Sequence, residues 1–142
     1  MAAWTSLGHH YGLPVWGYAG ATDSKVVDAQ AGIEATLSIM TAFLSRNTLV
    51  HDVGYIEFGS TSSLEMLVIA DEIIDMVRVV MGGLQVDANT LALEATRRVR
   101  PGGGYIADKH TLKNFRTAQW APSIIDRRYF DDWTDQGSQD MY

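Results

Sequence analysis

The 142 residues, 46% hydrophobic and 20% charged, suffice for one soluble domain with a core and exclude a disordered chain. The absence of cysteine excludes disulfides, thiolate metal sites and a cysteine nucleophile. A net charge of −6 argues against general nucleic-acid binding, although residues 1–96 carry −8 (three basic, eleven acidic) and residues 97–142 carry +2 (eight basic, six acidic). The N-terminal MAAWTSLGHH has no lysine or arginine ahead of an apolar run, so a signal peptide is not expected there. Asp71, Glu72, Asp75 and Arg78 break the most apolar stretch, so no membrane span is expected. A cytoplasmic protein is the simplest expectation.

In chain order, Leu13 to Ala19 predicts a short strand that ends in a Gly-rich turn. A helix is predicted from about Asp28 to Arg46, with Ile33, Leu37, Met40 and Leu44 as its apolar stripe. A second strand is predicted over Thr48 to Val53. The polar loop Gly59 to Ser63 then leads into a helix over 63–81, with Ser62 and Glu65 fitting a capping box and Leu67, Ala70, Ile74, Val77 and Met81 as its stripe. Asp71, Glu72 and Asp75 fit that helix's solvated face. Asp87 is expected to cap a further helix carrying Leu91, Ala95 and Val99, which Pro101 to Gly104 ends. Arg97, Arg98 and Arg100 complement the dipole at its C-terminal end. Thr111 to Trp120 and Ser123 to Trp133 predict two last helices, parted by Pro122.

Strand, helix, strand, helix is the order of parallel α/β structure. Two strands are too few for an independent parallel sheet, and a complete eight-stranded α/β barrel needs about 200 residues or more. The expected fold class is therefore α/β: a helix-rich portion of a TIM-type (β/α)8 barrel, with residues 1–142 as a single partial domain. Unpaired strand edges and the uncovered stripes of helices 28–46 and 63–81 predict self-association.

Barrel enzymes place their chemistry at the C-terminal ends of strands and in the loops that follow. The second strand brings His51, Asp52, Tyr55 and Glu57 to that position. His51 and Asp52 inside a buried strand need a reason: either they contact substrate, or they hydrogen-bond to each other and brace the barrel end. The first strand brings Trp16, Tyr18, Thr22, Asp23, Ser24 and Lys25. Trp16 and Tyr18, each taken alone, read first as core aromatics, and Asp23 is equally readable as a helix cap. Taken together, Trp16, Tyr18, Tyr55 and Glu57 are the ingredients of a pocket for a methylated ammonium, which aromatic faces and a carboxylate hold where hydrogen bonds cannot. The four histidines, 9, 10, 51 and 110, have no ligand spacing, so no metal site is expected. The Pro101-Gly-Gly-Gly-Tyr105 run lacks the Lys-Ser/Thr of a phosphate loop and reads as a helix terminator.

Tyr11-Gly-Leu-Pro, Gly20-Ala-Thr-Asp-Ser-Lys, Asp28-Ala-Gln-Ala-Gly, His51-Asp-Val-Gly-Tyr-Ile-Glu, Asp71-Glu-Ile-Ile, Pro101-Gly-Gly-Gly-Tyr, His110-Thr-Leu and Asp126-Arg-Arg occur in one order along nearly the whole chain. This set resembles the trimethylamine:corrinoid methyltransferase family, in its C-terminal third. The resemblance implies an α/β barrel and transfer of a methyl group from trimethylamine, or from a quaternary amine such as glycine betaine, to the reduced cobalt of a separate corrinoid protein. It implies a corrinoid (cobalamin-type) cofactor carried by that partner, with none bound tightly by this chain. The trimethylamine branch carries pyrrolysine, and the ordinary Ser24-Lys25 neighbourhood resembles the non-pyrrolysine branch instead. Arg100 stands where the resemblance implies a small residue. By position in the motifs, His51 and Glu57 are the expected catalytic residues, and Asp23, Trp16, Tyr18 and Tyr55 the substrate-binding ones. As a portion of the barrel, the chain is expected to be inactive alone. The alternative is a non-catalytic α/β interaction module that acts through oligomerisation or a partner.

Overall fold

A computed structural model describes residues 1–141. It is a helix-rich α/β structure with two small sheets, and it divides into two compact units, Met1–Met81 with the segment from Pro122 onward, and Gly82–Ala121.

The first unit opens with α1 (Ala2–His10), a helix the sequence pattern does not predict. Thr5 is fully buried on it and donates from its hydroxyl to the Asn47 side-chain oxygen. Strand β1 (Trp16–Tyr18) and strand β2 (Leu49–His51) pair in parallel, with Trp16 opposite Leu49 and Tyr18 opposite His51. Both are shorter than the predicted 13–19 and 48–53. The crossover between them is α2 (Ala29–Leu44), and the Asp28 carboxylate caps it by accepting the Ala31 N–H at 3.0 Å.

Helix α2 buries a face other than the predicted one. Ala31, Ala35, Ile39 and Ala42 are buried, whereas Ile33, Leu37 and Leu44 face outward, each more than 60% exposed. At 100° per residue the two sets lie on opposite sides. The alanines let the helix backbone approach the core closely, and large side chains there would hold it off. Ala19, Ile56, Met66, Ala70, Ile73 and Val77 complete that core.

After β2, a hairpin forms where a plain loop is predicted. Strand β3 (Tyr55–Ile56) pairs antiparallel with β4 (Thr61–Ser62) across the turn Glu57–Gly59. Gly54 precedes it at φ +86°, and a Cβ there would meet Leu67 Cβ at 2.9 Å and its Cα at 3.0 Å. Helix α3 (Leu64–Gly82) starts one residue later than the predicted capping box implies. Ser63, not Ser62, takes the Met66 N–H on its hydroxyl at 3.1 Å and donates to Glu65 at 2.8 Å.

Glu72 corrects the reading of a solvated acidic face. It is only 5% exposed, and its carboxylate accepts the N–H of Ser123 at 2.8 Å, of Ile124 at 3.3 Å and of Ile125 at 3.4 Å. These N–H groups turn to a carboxylate on α3, and residues 123–129 are not helical. The predicted helix over 123–133 is confined to α6 (Phe130–Asp135).

In the second unit, Asp87 caps a turn rather than a helix, accepting the N–H of Asn89 at 2.8 Å and of Thr90 at 2.9 Å. Helix α4 (Leu93–Val99) begins after Ala92, which sits at φ +50°. Its C-cap, Arg100, has φ 61° and ψ 166°, a conformation glycine adopts without strain. This gives the expectation of a small residue at that position a backbone reason. Arg98 joins Asp108 in a bidentate pair, Nη2–Oδ1 2.9 Å and Nε–Oδ2 3.1 Å. Asp108 also caps α5 (Lys109–Asn114), which therefore starts before the predicted residue 111 and ends well short of 120.

The chain exposes 10516 Å² of surface. A folded monomer of its 15.7 kDa mass exposes about 7,300 Å². The excess includes Trp16, Tyr18, Ile33, Leu37 and Phe58, all large and outward-facing. Among the described residues no helix is long and apolar enough to cross a membrane.

Candidate functional site

The parallel register sets the first layer of the site. Residues two apart on a strand share a face, and paired residues of neighbouring strands do too. Trp16, Tyr18, Leu49 and His51 therefore project on one side of the β1–β2 pair, and all four are exposed. The rings of Trp16 and His51 meet edge to face, 5.3 Å between centroids at 78°. Strand β2 is exposed along its length, so a histidine in it needs no special compensation.

His51 Nδ1 lies 2.7 Å from Asp52 Oδ1, and both side chains are a little over 40% exposed. The His–Asp pair of the bracing alternative is thus present. In a neutral ring that donates through Nδ1, Nε2 is the acceptor; the imidazolium is a donor at both nitrogens. Asp52 holds φ +70°, a left-handed conformation for which aspartate is one of the better-suited residues.

The loop after β1 forms the second layer. Thr22 and Ser24 are buried in it. Glu34 on α2 organises it, accepting the Thr22 hydroxyl at 2.6 Å, the Asp23 N–H at 2.7 Å and the Gln30 amide at 2.9 Å. These bonds, led by the one from Thr22, hold the Glu34 carboxyl below its ordinary range. Ser24 donates to Asp28 at 2.9 Å, and the Ala31 N–H and Ser24 hydroxyl hold Asp28 low in the same way. Asp28 is the helix cap, so Asp23 is not.

Backbone hydrogen bonds dock this loop on the β3–β4 hairpin. The Thr22 N–H donates to the Tyr55 carbonyl at 3.0 Å, the Glu57 N–H to the Ser24 carbonyl at 2.8 Å, and the Phe58 N–H to the Thr22 carbonyl at 3.2 Å. Glu57, Phe58 and Gly59 all hold positive φ, at +52°, +57° and +84°. Three successive left-handed residues, two of them not glycine, are strained backbone that the docking bonds offset. Glu57 accepts the Thr61 hydroxyl at 2.9 Å across the hairpin.

An open cleft of about 370 Å³ lies between these parts, lined by Tyr18, Thr22, Asp23, Asp52, Phe58 and their neighbours Ala21 and Gly59. Of the expected site residues, the cleft brings Tyr18 and Asp23 together. Trp16 and His51 stand on the strand face beside Tyr18, while Tyr55 and Glu57 lie in the hairpin that carries Phe58. Reasoning from the sequence misses Phe58 and Glu34. The Gly54–Gly59 turn is a local signal for Phe58, but nothing local marks Glu34 as the anchor of the loop, because its loop partners Asp23 and Thr22 lie eleven and twelve residues back.

Elsewhere, His9 Nε2 is 3.2 Å from the Arg46 carbonyl and His110 Nε2 2.7 Å from that of Asn89. Among the described residues, no three His, Asp or Glu side chains are grouped to hold a metal ion. The cleft offers aromatic faces and carboxylates to a cation.

Comparison with known proteins matches residues 1–142 to the family model described as trimethylamine methyltransferase (MTTB). The trimethylamine methyltransferase MttB of Methanosarcina thermophila is 36% identical over 140 residues, covering 99% of this chain and 29% of that protein. MttB2 of Methanosarcina mazei is 37% identical over 142 residues, covering 99% of this chain and 28% of its own length. The glycine betaine methyltransferase of Desulfitobacterium hafniense strain Y51 is 34% identical over 134 residues, covering 94% of this chain and 28% of its own. The chain thus spans less than a third of the length of these relatives.

Proposed function

The chain belongs to the trimethylamine methyltransferase family, and from that premise we propose that it supplies part of the amine pocket of a corrinoid-dependent methyltransferase. The observation that carries this reading is the aromatic and acidic surface at the C-terminal ends of the paired parallel strands, where Tyr18 and His51 stand side by side and Asp23 and Asp52 line the adjoining cleft. That is where an α/β barrel assembles its site. The outward face of Trp16, Tyr18, Leu49 and His51, and the surface in excess of a folded monomer's, support a place for these strands within a TIM-type barrel.

The substrate class is trimethylamine or a quaternary amine such as glycine betaine. A reduced corrinoid on a separate protein would supply the electron pair that takes the methyl group, and the pair of the broken N–CH3 bond would stay on nitrogen. A quaternary ammonium leaves as a neutral tertiary amine, so no acid is needed at its nitrogen, whereas trimethylamine has the same neutral leaving group only when it carries its own proton. The residues of this chain hold the cation, aim one methyl group outward and exclude water. Trp16, Tyr18 and Tyr55 supply aromatic faces, and Asp23 and Glu57 supply negative charge. His51, positioned by Asp52, offers a ring N–H to a substrate carboxylate. The reaction takes place in the cytoplasm.

A chimera tests the assignment. Residues 1–142 replace the matching stretch of the Desulfitobacterium glycine betaine methyltransferase, and methyl transfer and melting temperature are measured on the same samples. His51→Ala or Glu57→Gln is expected to slow transfer about tenfold or more with the fold retained. Activity that falls only with the folded fraction overturns the catalytic roles. The 142-residue chain alone is expected to show no turnover.

The outward stripe of Ile33, Leu37 and Leu44 favours a second reading, an interaction module that works by self-association. Light scattering on the isolated chain tests it: a monodisperse monomer counts against it, and self-association together with an inactive chimera favours it.

A further inference from the structure

An ammonium group already rests on one ring of the site. Lys25 Nζ lies 4.6 Å from the centre of the Phe58 ring and donates to the Asp23 carbonyl at 2.9 Å. Phe58 is 71% exposed, at the tip of the strained Glu57–Gly59 turn, and it lines the cleft with Tyr18, Asp23 and Asp52. We infer that Phe58 is a cation-binding wall of this cleft and that Lys25 is its internal competitor, an ammonium that a methylated ammonium ligand must displace or tolerate.

A phenyl face attracts a cation through its quadrupole, and a tetraalkylammonium, which has no N–H to donate, depends on that attraction more than a lysine does. Lys25 has the alternative of water and the Asp23 carbonyl. A second positive charge held against the same ring repels an incoming cation whichever face it approaches, because two like charges a few ångströms apart cost free energy even near water. Removal of Lys25 therefore frees the ring and strips a repulsive charge from beside a cleft whose own side-chain charges are those of Asp23 and Asp52. The left-handed backbone at 57–59 makes the placement of Phe58 rigid rather than incidental: the Phe58 N–H is fixed on the Thr22 carbonyl, and the turn points the ring outward where burial would have been favoured.

The inference rests on the proposed amine pocket, and its test needs no methyl transfer. Tetramethylammonium chloride is titrated into the 142-residue chain at constant chloride, with sodium chloride as the control, and amide resonances are followed. Saturable shifts at residues 18–23 and 58–59 are expected. Lys25→Met, an exposed site that does not disturb folding, should bind two- to fivefold more tightly, Phe58→Leu about fivefold or more weakly, and Phe58→Tyr as the parent does. Affinity unchanged or weakened in Lys25→Met overturns the competitor role. Affinity in Phe58→Leu equal to the parent's, or shifts that sodium reproduces, overturns the cation wall. Methyl transfer by the chimera that is insensitive to His51 and Glu57 defeats the proposed catalytic roles and leaves this binding result standing.

Discussion

The two compact units hold their shape by different means. The unit of residues 1–81 and 122–141 has an apolar core in which α2 and α3 press alanines, isoleucines and Met66 together. In Gly82–Ala121, Ala95 alone is buried. What orders that segment is polar: the Asp87 turn, the Arg98–Asp108 pair and the contact of His110 with the Asn89 carbonyl. About 40 residues is too short a stretch to bury a core of its own, so local hydrogen bonds stand in for one. The candidate site lies wholly in the unit with the core, where a rigid scaffold can position loops.

The largest expected effect tests the first half of that contrast. Gly54→Ala puts a Cβ against the Leu67 backbone and forces alanine to φ +86°. We expect a loss of about 3 kcal/mol or more, from strain and overpacking together, with the hairpin and α3 separating. Chemical denaturation followed by circular dichroism reads it, and a loss below about 0.5 kcal/mol refutes the close packing. Next in size, Arg98→Ala removes the fork that holds Asp108 and frees one end of α5. Amide exchange should accelerate several-fold across 93–114 and stay unchanged across 31–42 and 66–77. Equal acceleration in both would show that the units do not behave separately.

Acid gives the smallest and most graded contrast. Asp28, Glu34, Asp87 and Asp108 all hold their carboxyls below their ordinary values of 3.8 or 4.5. For such groups the unfolded chain binds protons first as pH falls. Their contribution is complete above the ordinary values and is lost as pH drops from there through the lowered ones. The segment 82–121 should therefore lose its order in that window, and the loop 19–28 should loosen, while α2 and α3 persist on their apolar core. Simultaneous loss of all helices in an acid titration followed by nuclear magnetic resonance would contradict this.

Much of the fold was legible in local pattern. The strand–helix–strand–helix order and the terminator after α4 depend on neighbours in sequence, whereas the cap of α2 proved to be Asp28 and not Asp23. The site was legible in part: Tyr18, Asp23, His51 and Asp52 were readable as strand-end residues, and the cleft unites Tyr18, Asp23 and Asp52. Phe58 escaped because its role depends on a left-handed turn, and Glu34 because its partners come from a loop that folds back on α2.

The sequence by itself determined the family and the succession of the main elements, because each is written in short-range order. Only the tertiary structure decided which face of α2 is inside. Periodicity identifies Ile33, Leu37, Met40 and Leu44 as one stripe, yet only Met40 of the four packs against the core, and close approach favoured the alanines on the other side. It likewise decided that Glu72 is buried and that residues 123–125 form no helix, since their N–H groups are taken by a carboxylate about fifty residues earlier in the chain, a distance no local pattern spans.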